Sequence, residues 1–218
     1  MLGTAAAALI SYRLKQRRRQ ELAAMAGQLG LDLSPDDPLG CLGLPFALLA
    51  RGDGRGVENV LWGTWQGLPV RQFDQRYYEE SIDAKGRRSR TSHRYSCAVT
   101  EIEATFPPLT IDRENLLTRL VDGLGLDDIG FEPEGFNRAF DVKAEDRKFA
   151  YDCIDQRMKR WLLEASPGYR FEACGPWLLD ATRRLRPTQL IPLLGTLKGF
   201  RDRVPRVVPD LYPRRAVG

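Results

Sequence analysis

Apolar positions along the chain fall into a few separate patterns. Leu22, Met25, Ala26 and Leu29 recur at three- and four-residue spacing, which predicts a helix with one buried stripe, ended by Gly30. Residues 58–66 and 68–78 carry the aromatic content of strands (Trp62, Trp65, Phe73, Tyr77 and Tyr78), and Gly67 between them predicts a hairpin corner. Residues 93–106 read as a third strand, stopped by Pro107-Pro108. Asp112 is placed to cap a helix over Leu116, Leu117, Leu120 and Val121, ending at Gly123. Tyr169, Phe171 and Ala173 alternate with Arg170 and Glu172. This predicts a second hairpin, 169–173 and 177–181, around Gly175-Pro176. Pro187 opens a last helix with Leu190, Ile191, Leu194, Leu197 and Phe200 inward.

The intervening segments are polar or punctuated. Residues 31–51 contain Pro35, Pro38 and Pro45 and read as loop with short extended pieces. Gly52-Asp53-Gly54-Arg55-Gly56 reads as a turn, and it lacks the Gly-Lys-Ser/Thr ending of a phosphate loop. Residues 79–92, with Lys85, Arg87, Arg88 and Arg90, read as a solvated polar loop, or as an anion or partner contact. Strands arriving in hairpins predict an α+β fold: a largely antiparallel sheet with helices on one face, preceded by an N-terminal helix.

Residues 131–163, FEPEGFNRAFDVKAEDRKFAYDCIDQRMKRWLL, are the most densely patterned stretch. Phe136 and Phe140, with Phe131 before them, predict one aromatic face on a short helix that Pro133 starts. Asp141-Val142-Lys143 is an extended link. Glu145 and Asp146 favour the start of a helix whose apolar face is Phe149, Ala150, Cys153 and Ile154. Asp155 is placed to cap another, with Met158, Trp161, Leu162 and Ala165 inward and Pro167-Gly168 after it. The rings read as core; Asn137, Arg138, Asp141 and Asp146 read as a solvated face or local caps.

The motifs F-E-x-E-x-F-N-R-x-F-x-V, D-x-x-F-A-Y-D and R-M-x-x-W-L-L in this block resemble a bacterial, mostly actinobacterial, family of membrane-anchored proteins, the domain-of-unknown-function 3137 group. The resemblance extends from about Arg13 to about Phe200. It implies an N-terminal transmembrane helix followed by one α+β domain, and no catalytic residues.

Charge sharpens the picture at the N-terminus. Arg13, Lys15, Arg17, Arg18 and Arg19 are five cations with no acid before Glu21; removing them takes the formal charge from +4 to −1. The basic character is therefore local, which argues against nucleic acid as a partner. Ahead of them lies LGTAAAALISY, shorter than the roughly 20 apolar residues a span needs. Apolar residues followed by cations is the order of a span whose following domain faces the cytoplasm. Residues 1–12 are thus expected to be a partial membrane-anchor segment, the inner end of a helix that starts upstream. The other reading is a frayed helix end on a cytoplasmic protein. Residues 13–30 form a basic juxtamembrane helix, 31–204 a single α+β domain, and 205–218, broken by Pro205, Pro209 and Pro213, an extended or disordered tail.

Candidate chemistry is sparse. Cys41, Cys97, Cys153 and Cys174 are scattered and predict buried, reduced thiols. His93 and Cys97 share a strand face, but four residues of strand span about 13 Å, too far for a nucleophile and its base. Asp122, Asp127 and Asp128 do not match a calcium loop. No catalytic, cofactor-binding or metal-binding residue is assigned, and no cofactor is expected. The chain reads first as a membrane-tethered cytoplasmic interaction module. Its partners would be the bilayer, through the N-terminus, and a protein. The alternatives are a small-ligand or lipid-binding domain with a cavity between sheet and helices, and an enzyme of unidentified class.

Overall fold

A computed structural model describes residues 2–83, 85–113, 126–132, 134–164 and 168–214, and their side chains from Leu9 onward except Glu134. The order is α1 (Leu2–Leu29), β1 (Asp32–Ser34), β2 (Gly54–Trp65), β3 (Leu68–Ile82), β4 (Arg88–Arg113), β5 (Asp127–Asp128), α2 (Glu134–Asn137), β6 (Phe140–Ala144), α3 (Arg147–Cys153), α4 (Gln156–Glu164), β7 (Arg170–Arg183), α5 (Leu190–Arg201) and α6 (Val207–Leu211). The described strands make one antiparallel sheet in the order β1-β2-β3-β4-β6-β5, with β7 on β4. The fold is α+β, as the hairpin pattern predicts.

The sheet separates two cores. Leu22 and Met25 of α1, Phe149 of α3, Met158 of α4, Leu193 of α5 and Val208 of α6 share one with Leu61, Ala98 and Phe171. The other is closed by the 39–51 segment, whose Cys41, Phe46, Leu48 and Leu49 cover Val60, Phe73, Cys97 and Val99. Glu172 fastens that lid. It accepts from Arg170 Nε (2.6 Å) and from the Ala47 and Leu48 amides (2.6 and 3.1 Å).

Strand β4 is the spine, and it corrects two expectations. Pro107-Pro108 does not stop it. On one edge β4 pairs with β3 up to Thr100 and with β6 only from Leu109, so neither proline faces a ladder that needs its missing N–H. On the other edge the β7 register breaks on both sides of Phe106. The break swaps the alternation: Ala104 and Phe106 face the helical core before it, Leu109 and Ile111 after it. Gly175-Pro176 lies opposite the same break. Gly175, at φ 56°, bends β7, so the expected hairpin over 169–181 is one continuous strand.

Other boundaries also move. Asp112 lies inside β4 and accepts from Arg170; the helix expected over Leu116–Gly123 lies outside the described residues, as do Asp122, Pro133, Ala165 and Pro167. Residues 79–92 are mostly paired strand: the β3–β4 ladder runs out to Ile82–Arg88, and Asp83 closes the turn by accepting from the Lys85 and Arg87 amides. Cross-strand polar pairs support this arm where no core does, with Arg90 over the Tyr78 ring. The tail is not simply extended, because α6 forms and buries Val208. Ile191 points outward (41% exposed) and Leu193 inward, because Leu193 and not Ile191 shares the helical stripe of Leu190, Leu194, Leu197 and Phe200.

The central block holds its expected caps. Asp146 accepts from the Phe149 amide and Asp155 from the Met158 amide. Phe136 and Phe140 stack at 5.0 Å, although the helix ends between them and Phe140 opens β6. Asn137 makes reciprocal hydrogen bonds with the Phe131 backbone.

The 52–56 segment is only half a turn, since Gly54 onward belongs to β2. Gly52 has φ +81°, and a Cβ there would stand 2.6 Å from the Tyr78 carbonyl oxygen. Gly52→Ala is expected to lose roughly 1–3 kcal/mol of stability from the backbone conformation, plus the clash. Gly67 has φ +76° but open space around it. In thermal unfolding, Gly67→Ala should therefore lose less.

Candidate functional site

Helix α1 has two unlike halves. Its C-terminal half is rooted: Leu22, Met25 and Ala26 are buried, and Gly30 (φ 67°) closes the helix with the Leu31 amide donating to the Ala26 carbonyl. Its outer part is exposed from Leu9 onward. Leu9, Ile10 and Tyr12 are 53%, 59% and 60% exposed, and every residue from Leu9 to Lys15 is exposed on all helix faces. At 1.5 Å per residue, the 11 residues of 2–12 project about 16 Å. No described helix is long and apolar enough to cross a membrane. From Leu9 onward, the segment expected to be a partial anchor is exposed helix.

The five N-terminal cations take different roles. Arg13 is exposed. Lys15 pairs with Glu58 (2.6 Å) and Arg17 with Glu21 (2.9 Å). Arg18 turns inward, donating through Nε and Nη2 to both Asp74 oxygens (2.7 and 2.6 Å) and through Nη1 to the Leu185 carbonyl. Arg19 is half-buried. The placement of Arg18 gives it a structural task that the charge run alone could not reveal.

Asp74 is the hub of this root. It also accepts from Asn59 Nδ2 at 2.9 Å. A bulge in β2 after Glu58 delivers that amide: Asn59 adopts φ 55°, a conformation asparagine tolerates. Glu58 beside it faces Lys15. Burial opposes ionisation of Glu58, but Lys15, Arg184 and Arg76 together outweigh it and hold the carboxyl below its usual pKa.

Around the hub lies a groove of about 760 Å³ between α1 and the sheet. Helix α1 lends it Lys15, Arg17 and Arg18; β3 adds Arg76, β4 adds Arg94, and the end of β7 adds Arg184 and Arg186. The carboxylates lining it are Glu21 and Glu58. Burial pulls the Arg184 guanidinium below its ordinary pKa; Asp74 resists this, and the neighbouring Arg18 and Arg94 add to it. Arg76, Arg94 and Arg184, distant along the chain from α1, carry no sequence signal of belonging with it. Only the fold brings them together.

The remaining candidates are not assembled into chemistry. His93 stacks on Tyr77 at 4.7 Å and faces Glu79, while Cys97 is fully buried and burial pushes its thiol pKa well up, the reverse of an activated nucleophile. Burial also raises the Cys41 and Cys153 thiols to about 12. Asp127 and Asp128 are exposed, and Asp128 pairs with Lys143. Among the described residues, no three His, Cys, Asp or Glu side chains group at metal-binding spacing. An apolar cavity of about 220 Å³ does exist, lined by Phe46, Leu109, Ala173 and Cys174. It borders the 39–51 lid, and it is smaller than the roughly 300–1,000 Å³ of typical ligand pockets.

No family model matches the chain, and no curated protein does. The resemblance to the domain-of-unknown-function 3137 group therefore stands on the motifs of residues 131–163. Among solved structures, the crystal structure of the mycobacterial trehalose monomycolate transport factor A, TtfA, is similar over 93% of this chain and 98% of that one, with a TM-score of 0.61 at 16% identity, so the two share a fold.

Proposed function

We propose that this chain is a membrane-tethered accessory module without catalysis of its own, held at the cytoplasmic face by the outer half of α1. The observation that carries the reading is the two-part helix: an apolar end exposed on all faces, then cations, then a root locked into the body. Burying Leu9 and Ile10 in lipid would contribute about 3–6 kcal/mol, and each cation near an anionic surface about 1 more. That is enough for reversible attachment without a span. The fold shared with a transport factor for trehalose monomycolate makes envelope lipid transport the setting we favour. The module would act there by holding a protein partner at the bilayer. The actinobacterial family likeness of residues 131–163 agrees with that setting.

The test is fractionation of the full chain from cells. The wild type is expected in the membrane pellet, and a Leu9→Asp, Ile10→Asp variant in the supernatant. A wild type found wholly in the supernatant would end the tethered reading.

A further inference from the structure

We infer that the groove at the root of α1 is a binding site for a phosphate group, held between Arg76, Arg94 and Arg184. The ion pairing points there. The three carboxylates in and under the groove each have a cation from α1: Glu58 has Lys15, Glu21 has Arg17, and Asp74 has Arg18. The sheet's arginines are matched only at longer range, Arg76 and Arg184 through the field of Glu58. Arg76, Arg94 and Arg186 form no ion pair among the described residues, and Arg184 reaches Asp74 only at 3.6 Å. Arg184 Nε is buried without a hydrogen-bond partner among the described residues. Guanidinium groups crowded on one wall repel each other, and an oxyanion relieves that repulsion. Their planar forks suit phosphate oxygens, which accept two parallel hydrogen bonds from one guanidinium.

The source of the phosphate follows from the neighbourhood. Ser11 and Leu14 line the outer end of the groove, so it opens beside the exposed apolar segment containing Leu9 and Ile10. Under the tethered reading, on which only this step rests, that opening meets the headgroup layer. The phosphate is then that of an anionic lipid. The Asp74 hub sets the floor, with Arg184 at 3.6 Å from it.

The test compares two variants of the full chain with equal charge loss. One removes the wall, Arg76→Gln with Arg94→Gln; the other makes the same change in net charge at an exposed α1 cation outside the groove lining, Arg13→Glu. Binding is read by co-sedimentation with equimolar phosphatidylcholine and phosphatidylglycerol vesicles, against phosphatidylcholine alone. A second arm reads the rise in Tm with inorganic phosphate, without lipid. The wall variant is expected to bind anionic vesicles about tenfold or more weaker than the α1 variant and to lose the phosphate-induced rise. Equal losses in the two variants, with no effect of phosphate, would mean diffuse surface charge and overturn the inference. If phosphate raises Tm in the wild type and not in the wall variant while no vesicle binds, the site stands with a soluble source and the tethered reading falls.

Discussion

Replacing Asp74 with alanine is expected to destabilise the protein by about 3–5 kcal/mol, the largest loss among single polar substitutions here. The side chain is 5% exposed and its bidentate partner Arg18 is 11% exposed. Removing the carboxylate leaves the Arg18 guanidinium half-desolvated, strips the Asn59 amide of its acceptor and takes the nearest acid from Arg184. The origin of the loss is an abandoned charge and not a missing attraction. The two can be separated. Arg18→Met combined with Asp74→Leu removes both charges and keeps the volume, and it is expected to recover most of the stability. Denaturant unfolding of the two single variants and the double variant measures this. A double variant as unstable as the sum of the singles would show the groups acting independently.

Asp180 is expected to behave in the opposite way: Asp180→Asn should stabilise the protein at neutral and alkaline pH. The carboxyl is fully buried on β7, and neither oxygen has a hydrogen-bond partner among the described residues. Burial alone pushes its pKa well above the ordinary carboxylate value. A carboxyl whose folded pKa exceeds its unfolded one binds its proton more tightly in the folded state. Its contribution is therefore fully present below the unfolded value, near 4, and is lost as pH rises through the folded value. The wild type should fall behind Asp180→Asn by about 1.4 kcal/mol per pH unit across that window, with no gap in acid. Ala98 pairs with both Asp180 and Gln72, and Gln72 Oε1 is also buried without a partner among the described residues, so an introduced amide has an acceptor on the same face. A gap that does not change with pH would mean the carboxyl is hydrated.

What could be read from the chain divides along physical lines. Local patterns survived: the stripe of Leu22, Met25 and Ala26, the Gly30 terminus, the Gly67 corner, and the Asp146 and Asp155 caps all depend on neighbours within a few residues. What failed needed distant partners. Pro107-Pro108 ends an isolated strand; here it is tolerated because β3 stops and β6 starts on either side of it. Gly175-Pro176 reads as a corner because nothing local says that β4 bends at the same level. Residues 79–92 are too polar to predict a strand, yet each half pairs with the other. The candidate site is the extreme case. The α1 cations are legible as a run, but their meaning depends on Glu58, Asp74, Arg94 and Arg184, which only the folded sheet delivers. Arg18 is indistinguishable from Arg17 in sequence, and the fold turns one inward and leaves the other outside.

The proposed tether gives α1 one end for the bilayer and one for the body. The most direct measurement is a fluorophore placed singly at Ile10 or at Gly27, both outside the core, with anionic vesicles carrying a quencher in their acyl chains. Quenching at Ile10 with none at Gly27 is the predicted result. An unquenched Ile10 probe on vesicle-bound protein would contradict the account, because the chain would then be meeting the lipid through some other surface.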